Sequence, residues 1–294
     1  MKNKCWIHFN AFKVPGGAAT ILEPVGCGTD VAEVLDGSFM KNISVTVRLN
    51  IDDPRIPILH GVLKQYGIEA RQCPYIEYED HDLQNARLLE MDADINQRVY
   101  AGPALGTKYD LSDACPNCET GAKQTSPLYI GGENGPALIR KHRAVGTTGG
   151  HILVDGGMVK KLKDAQVTGI SFGEVRQRLK NKKWSMVARE QILIEHIMPP
   201  MPAEYSEHDQ KQLCKVCKRG GRMSSQPYRP EDLVGIKDFN LTWEWFGEFW
   251  LKDERHMLKR PYPFILVTPK AMNIFRDAGV TAFEWTPVNI KTST

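Results

Sequence analysis

The chain has 294 residues, 41% hydrophobic and 25% charged, with 38 basic against 35 acidic side chains and a formal net charge of +3. This is the composition of a globular protein long enough to bury a core without disulfides, and its charge balance is too mild to argue for nucleic acid or a membrane surface. The opening MKNKCWIHFNAFK holds no apolar run of signal-peptide length, and no stretch approaches the ~18 apolar residues of a spanning helix, so a cytoplasmic address is expected.

Residues 1–40 show little apolar periodicity, and Pro15-Gly16-Gly17 and Gly26-Cys27-Gly28 predict turns. From Ile43 to Leu49 apolar and polar residues alternate, as in a half-buried strand. Asp52-Asp53-Pro54 then supplies an acidic cap and a first-turn proline, with Ile58, Leu59, Val62, Leu63 and Tyr66 at helical spacing and Gly67 as the stop. Ile68 to Tyr78 predicts a second strand interrupted near Pro74, and residues 81–90 a short helix. Residues 100–150 and 199–235 are rich in Gly, Pro, Ser and Thr. Irregular stretches of that length in a folded chain call for an organising element.

Two segments repeat. His151 to Val175 and Phe264 to Val288 align without a gap, sharing Ile-Leu-Val, Asp, Ala, Val-Thr and the final Val. Each predicts strand, amphipathic helix, strand. Leu153, Leu162, Val167 and Phe172 correspond to Leu266, Phe275, Val280 and Trp285. Each segment also has a C-x-x-C pair upstream, which points to a duplicated half. The expected architecture is α+β in three parts. These are an N-terminal αβ unit over 1–95, a first knuckle and repeat half over 96–198, and a second over 199–294.

Seven cysteines are present, an odd number, with Cys5, Cys27 and Cys73 scattered. Cys115-Pro116-Asn117-Cys118 and Cys214-Lys215-Val216-Cys217 are each followed, after two intervening residues, by a glycine, Gly121 and Gly220. Two intervening residues let both thiolates of a tight turn reach one ion, and a nearby glycine supplies positive φ. Two such knuckles complete a tetrahedral zinc site with no position left for water or substrate, a structural ion. The competing reading of Cys115 and Cys118 is a redox dithiol. That chemistry wants the first cysteine at a helix N-terminus after a strand, and neither neighbour predicts one.

Gly131 to Gly135 and Gly146 to Gly150 lack the strand and helix context of a phosphate loop or dinucleotide fingerprint and predict loops. The histidines are dispersed, and His208, the nearest to the second knuckle, is expected at the surface. Asp52-Asp53 and Glu79-Asp80 suit caps or turns. No nucleophile or general base emerges, so the chain is expected to bind rather than catalyse. Lys211, Lys215, Lys218, Arg219 and Arg222 around the second knuckle motivate a nucleic-acid or regulatory module as the alternative. The run from Trp243 to Trp250 mixes aromatic rings with carboxylates, a composition shared by core segments and interface anchors. Trp243, Trp245, Glu248 and Trp250 are the candidate partner contacts, and Glu244, Glu248, Asp253 and Glu254 would steer a basic partner.

Two C-x-x-C knuckles, each followed by an Ile-Leu-Val strand with the Asp-Ala and Val-Thr signature, resemble the double-CXXCG motif immunity proteins. The resemblance covers about residues 100–290. Its knuckles depart from the pattern, with Glu119 and Lys218 directly after the second cysteines. It implies a cytoplasmic bacterial protein that neutralises a cognate toxin by direct binding.

Overall fold

The computed structural model describes residues 1–37, 42–94, 97–131, 135–178, 184–202, 213–219, 227–246 and 261–291. It is a mixed α+β protein of two compact units, Met1–Asp82 and Leu83–Thr294.

The first unit runs β1 (Lys2–Asn10), α1 (Ala18–Leu22), β2 (Ala32–Gly37), β3 (Asn42–Asn50), α2 (Arg55–Gln65), β4 (Arg71–Glu77). The sheet order is β2-β3-β1-β4, with every neighbouring pair antiparallel. This is the ferredoxin-like arrangement of two interleaved split β-α-β units. Cys5, Ile7, Phe9, Val45, Val47 and Leu49 point to one face and form the core with Ile21 of α1 and Leu59 and Leu63 of α2. The opening residues therefore hold a strand, a helix and a second strand that the apolar pattern did not predict. β3 and α2 stand where expected, and Gly67 takes φ 64° just past the helix. Ile58 and Tyr66, expected on the helix's inner face, are exposed. Pro74 fits within β4 because β4 is an edge strand with one unpaired side.

α3 (Asp80–Asn85) spans the boundary. The second unit then contains β5 (Leu89–Ala93), β6 (Tyr100–Ala101), β7 (Tyr109–Asp110), β8 (Lys123–Gln124), β9 (Leu128–Gly131), α4 (Gly135–Lys141), β10 (Ala144–Gly146), β11 (Ile152–Val154), α5 (Gly156–Asp164), β12 (Ile170–Arg178), β13 (Trp184–Ile194), β14 (Phe239–Leu241), β15 (Ile265–Val267), α6 (Pro269–Asp277) and β16 (Phe283–Pro287). One sheet has the order β10-β11-β13-β12-β9-β6, a second β14-β15-β5-β16, and β7 with β8 forms a separate ribbon. Of the two glycine-rich runs expected as loops, the first holds the end of β9 at Gly131 and the start of α4 at Gly135; in the second, Gly146 ends β10 and residues 148–150 form a turn and bend.

The two segments that align in sequence fold alike. In each, the two strands flank a central antiparallel strand, β13 between β11 and β12, β5 between β15 and β16. The registers correspond residue by residue. Leu153 pairs with Gln191 as Leu266 pairs with Glu90, and Phe172 pairs with Ile192 as Trp285 pairs with Met91. The outer strand repeats too, with Val145 opposite Leu153 and Asn240 opposite Leu266. Both helices end identically: Val167 N donates to Leu162 O and Val280 N to Phe275 O, each at 3.0 Å. The residue before each donor has positive φ, 50° at Gln166 and 72° at Gly279. Leu153, Leu162, Leu266 and Phe275 are buried, Phe172 and Trp285 half-buried, while Val280 is buried and Val167 only half-buried. The difference lies in the chain route. β13 follows β12 directly, whereas β5 comes from the start of the unit.

Candidate metal centre

The first knuckle sits on the β7–β8 ribbon. Asp110 accepts from Ser112 N at 2.9 Å and Lys123 pairs with Asp113 at 2.8 Å, closing the base of the loop. The ribbon is tied to the large sheet by a polar cluster centred on the buried Gln191. Gln124 and Gln191 exchange two amide hydrogen bonds, 2.9 and 3.0 Å, and Gln191 Nε2 also donates to His151 Nδ1 at 3.2 Å. The other ring nitrogen of His151 lies 3.3 Å from the Tyr109 hydroxyl. Burial holds this imidazole down at about 4, so it is neutral.

The two knuckles adopt one turn. Glu119 N donates to Cys115 O at 2.8 Å, and Lys218 N to Cys214 O at 2.9 Å. Glu119 and Lys218, the residues that replace glycine after each second cysteine, carry the positive φ themselves, 57° and 62°. Gly121 also lies in the left-handed region, at φ 92°. The second knuckle is braced by Arg219, whose guanidinium lies 4.7 Å from the centre of the Trp243 ring and close to Gly121 of the first knuckle.

All four thiols converge. Sγ of Cys115 lies 3.7 Å from that of Cys214, Sγ of Cys118 lies 3.5 Å from that of Cys217, and all four lie within 4.8 Å of one another. A tetrahedron with Zn–S bonds of about 2.3 Å has S···S edges of roughly 3.8 Å, so the spacing fits a four-coordinate ion. The same distances are far beyond a disulfide's ~2.05 Å bond. Both of these pairs join one knuckle to the other, and Cys115 does not open a helix, where a redox dithiol's thiolate is stabilised. Cys115, Cys118 and Cys214 are buried and Cys217 half-buried.

The surroundings can carry anionic sulfur. Burial opposes ionisation of Cys214, but the Cys217 N–H, the Asn117 side-chain amide at 3.3 Å and the Val216 N–H outweigh it and bring the thiol down to about 6. Burial pushes Cys118 the other way, with Thr120 Oγ1 at 3.1 Å partly offsetting it. Asn117 and Thr120 were not singled out by spacing. Their signal was their position inside or just after the knuckle, where a hydrogen-bonding side chain orients a ligand.

Of the candidate partner contacts, Trp243 and Trp245 are half-buried, and Glu248 and Trp250 lie outside the described residues, as do Asp253 and Glu254. Glu244 is a correction. It is 1% exposed and its Oε1 accepts from Met201 N at 2.8 Å, so it cannot steer a partner. Glu244 and Phe246, just past β14, are both buried, and Phe246 stacks on Phe264 with ring centres 3.7 Å apart. Lys215 and Lys218 are exposed; His208, Lys211 and Arg222 lie outside the described residues. No described helix is long and apolar enough to cross a membrane. No protein-family model matches this chain, and no curated protein matches its sequence.

Proposed function

We propose that this chain is a zinc-stabilised binding protein whose four cysteines hold one structural Zn²⁺, and that it acts as an immunity protein neutralising a cognate bacterial toxin. The observation that carries the reading is the convergence of four thiols from two knuckles about a hundred residues apart onto tetrahedral spacing. An all-thiolate set suits zinc, and four protein ligands leave the ion closed to substrate, so its role is structural. Four thiolates on a dication carry a net charge of about −2. Lys215, Lys218 and Arg219 then have a local purpose, offsetting that charge, with no nucleic acid required. The matched registers of the two strand–helix–strand segments support a duplicated half that brings one knuckle to meet the other. The immunity reading rests on the resemblance of the knuckle and repeat order to the double-CXXCG family. Elemental analysis is expected to find one zinc per purified chain, and none after Cys115→Ser with Cys214→Ser. A folded wild type that carries no metal would sink the zinc reading. The toxin arm is tested by co-purification with the toxin encoded beside it. A toxin left fully active by a stoichiometric excess of this protein would reject neutralisation.

A further inference from the structure

We infer that the open face of the N-terminal sheet is a platform for single-stranded nucleic acid, a site independent of the metal centre and of toxin binding. Strand alternation sends Cys5, Ile7 and Phe9 to the core and Lys4, Trp6 and His8 to the opposite face. Residues directly opposite one another on paired strands share a face. On one side Tyr75, Cys73 and Arg71 of β4 stand opposite Lys4, Trp6 and His8; on the other, Arg48 and Thr46 of β3 stand opposite Trp6 and His8. Trp6 is therefore ringed by cations on a central strand. The Arg71 guanidinium lies 5.6 Å from the centre of its ring, with the His8 ring 6.4 Å away in edge contact. His8, Arg48 and Arg71 are exposed, and Trp6 and Tyr75 half-buried.

The charge on this face is sorted. Lys4 and Arg48 lie on the two inner strands, while the carboxylates, Glu33 and Glu77, lie on the edge strands. Those carboxylates pair with Arg48 at 3.2 Å and Lys4 at 3.5 Å, contacts that an incoming phosphate would compete for. Arg71 faces the Trp6 ring. Leu35, on an edge strand, is the one large aliphatic side chain among the described residues of this face, which is too little for the apolar anchor cluster of a protein interface. Interleaved rings and cations without an aliphatic patch are instead what stacked bases and a phosphate backbone require, and stacking on rings is tolerant of sequence. A duplex hides the base faces, so single strands are the ligand.

The test is fluorescence anisotropy of the full chain with labelled oligo-dT, oligo-U and the corresponding duplex. The single strands are expected to bind, with a log–log salt slope near −2 from about three phosphate contacts, and the duplex to bind much more weakly. Trp6→Ala should weaken binding about tenfold or more, and Arg71→Glu should weaken it and flatten the salt slope. Leu35→Ala should change nothing. Trp6→Phe keeps a ring and guards against misfolding; it should retain most of the affinity, with circular dichroism confirming the fold. DNA against RNA preference is read from the two single-stranded probes. Absence of binding at low salt, equal binding of the duplex, or affinity unchanged by Trp6→Ala and Arg71→Glu would overturn the assignment. So would a toxin contact abolished by the same substitutions. Cys115→Ser with Cys214→Ser should not alter oligonucleotide binding, which separates this test from the zinc reading.

Discussion

At the scale of single residues, His151 couples stability to pH. Gln191 Nε2 donates to its Nδ1, which leaves the ring proton on Nε2 facing Tyr109. Burial holds the folded-state value near 4, against about 6.5 in an unfolded chain. Below pH 6.5 the unfolded state takes up a proton that the folded state refuses until about pH 4. Stability therefore falls as pH drops through that window, by up to about 3 kcal/mol, and levels off beneath it. Replacing the imidazole by an amide of similar reach, His151→Gln, is expected to flatten the acid limb of thermal stability between pH 6.5 and 4. An unchanged limb would assign the pH dependence to other groups. The same cluster also holds the ribbon that carries Cys115 and Cys118, so its loosening in acid would reach the metal ligands.

At the scale of elements, the paired helices α5 and α6 make an internal control. Their C-terminal turns share one hydrogen-bond pattern, yet one has Gln166 and the other Gly279 at the left-handed position. A side chain there costs roughly 1 kcal/mol that glycine avoids. Gln166→Gly is expected to stabilise by about that amount and Gly279→Gln to destabilise at least as much, read from denaturant midpoints. Equal and opposite shifts would show that the two turns are energetically alike; a destabilising Gln166→Gly would show that the glutamine side chain makes a compensating contact. What was legible in the sequence follows from such local rules. α2, β3, both strand–helix–strand segments and the four cysteines declared themselves through periodicity, caps and C-x-x-C spacing. β1 did not, because Trp6 on the outer face breaks the apolar–polar alternation of Cys5, Ile7 and Phe9. α4 and β10 were hidden by glycines, since Gly146 lies where an added Cβ would meet Ala93 and is needed for close packing, not for a turn. Glu244 misled because a carboxylate between tryptophans reads as surface until a backbone N–H is seen bonded to it.

At the scale of the whole molecule, an ion held by all four cysteines would act as a single cross-link. Each knuckle would supply two of its four ligands, so losing either would release it. Cys115→Ser with Cys118→Ser is expected to lower the melting temperature as far as Cys214→Ser with Cys217→Ser. The quadruple variant should lie no lower than either, far from the sum of the two. In a chain-entropy account a link closing a loop of this length is worth about 4–5 kcal/mol before the bond energies are counted. Additive losses would mean that the knuckles bind separate ions. The central position of β5 has its own consequence, one of timing. On the ribosome β5 emerges more than 170 residues before β15 and β16, its two neighbours, because it spans Leu89–Ala93 and they begin at Ile265. At about 5–20 residues per second that interval is on the order of ten seconds or more. Throughout it, Leu89 and Met91 have neither neighbouring strand to pair with, while the first unit already has all its strands and the β12–β13 hairpin gains both of its own before β15 emerges. β16 must find one of the first strands of its unit, so this sheet closes late, and a nascent chain stalled short of β16 would display an unpaired apolar strand to chaperones.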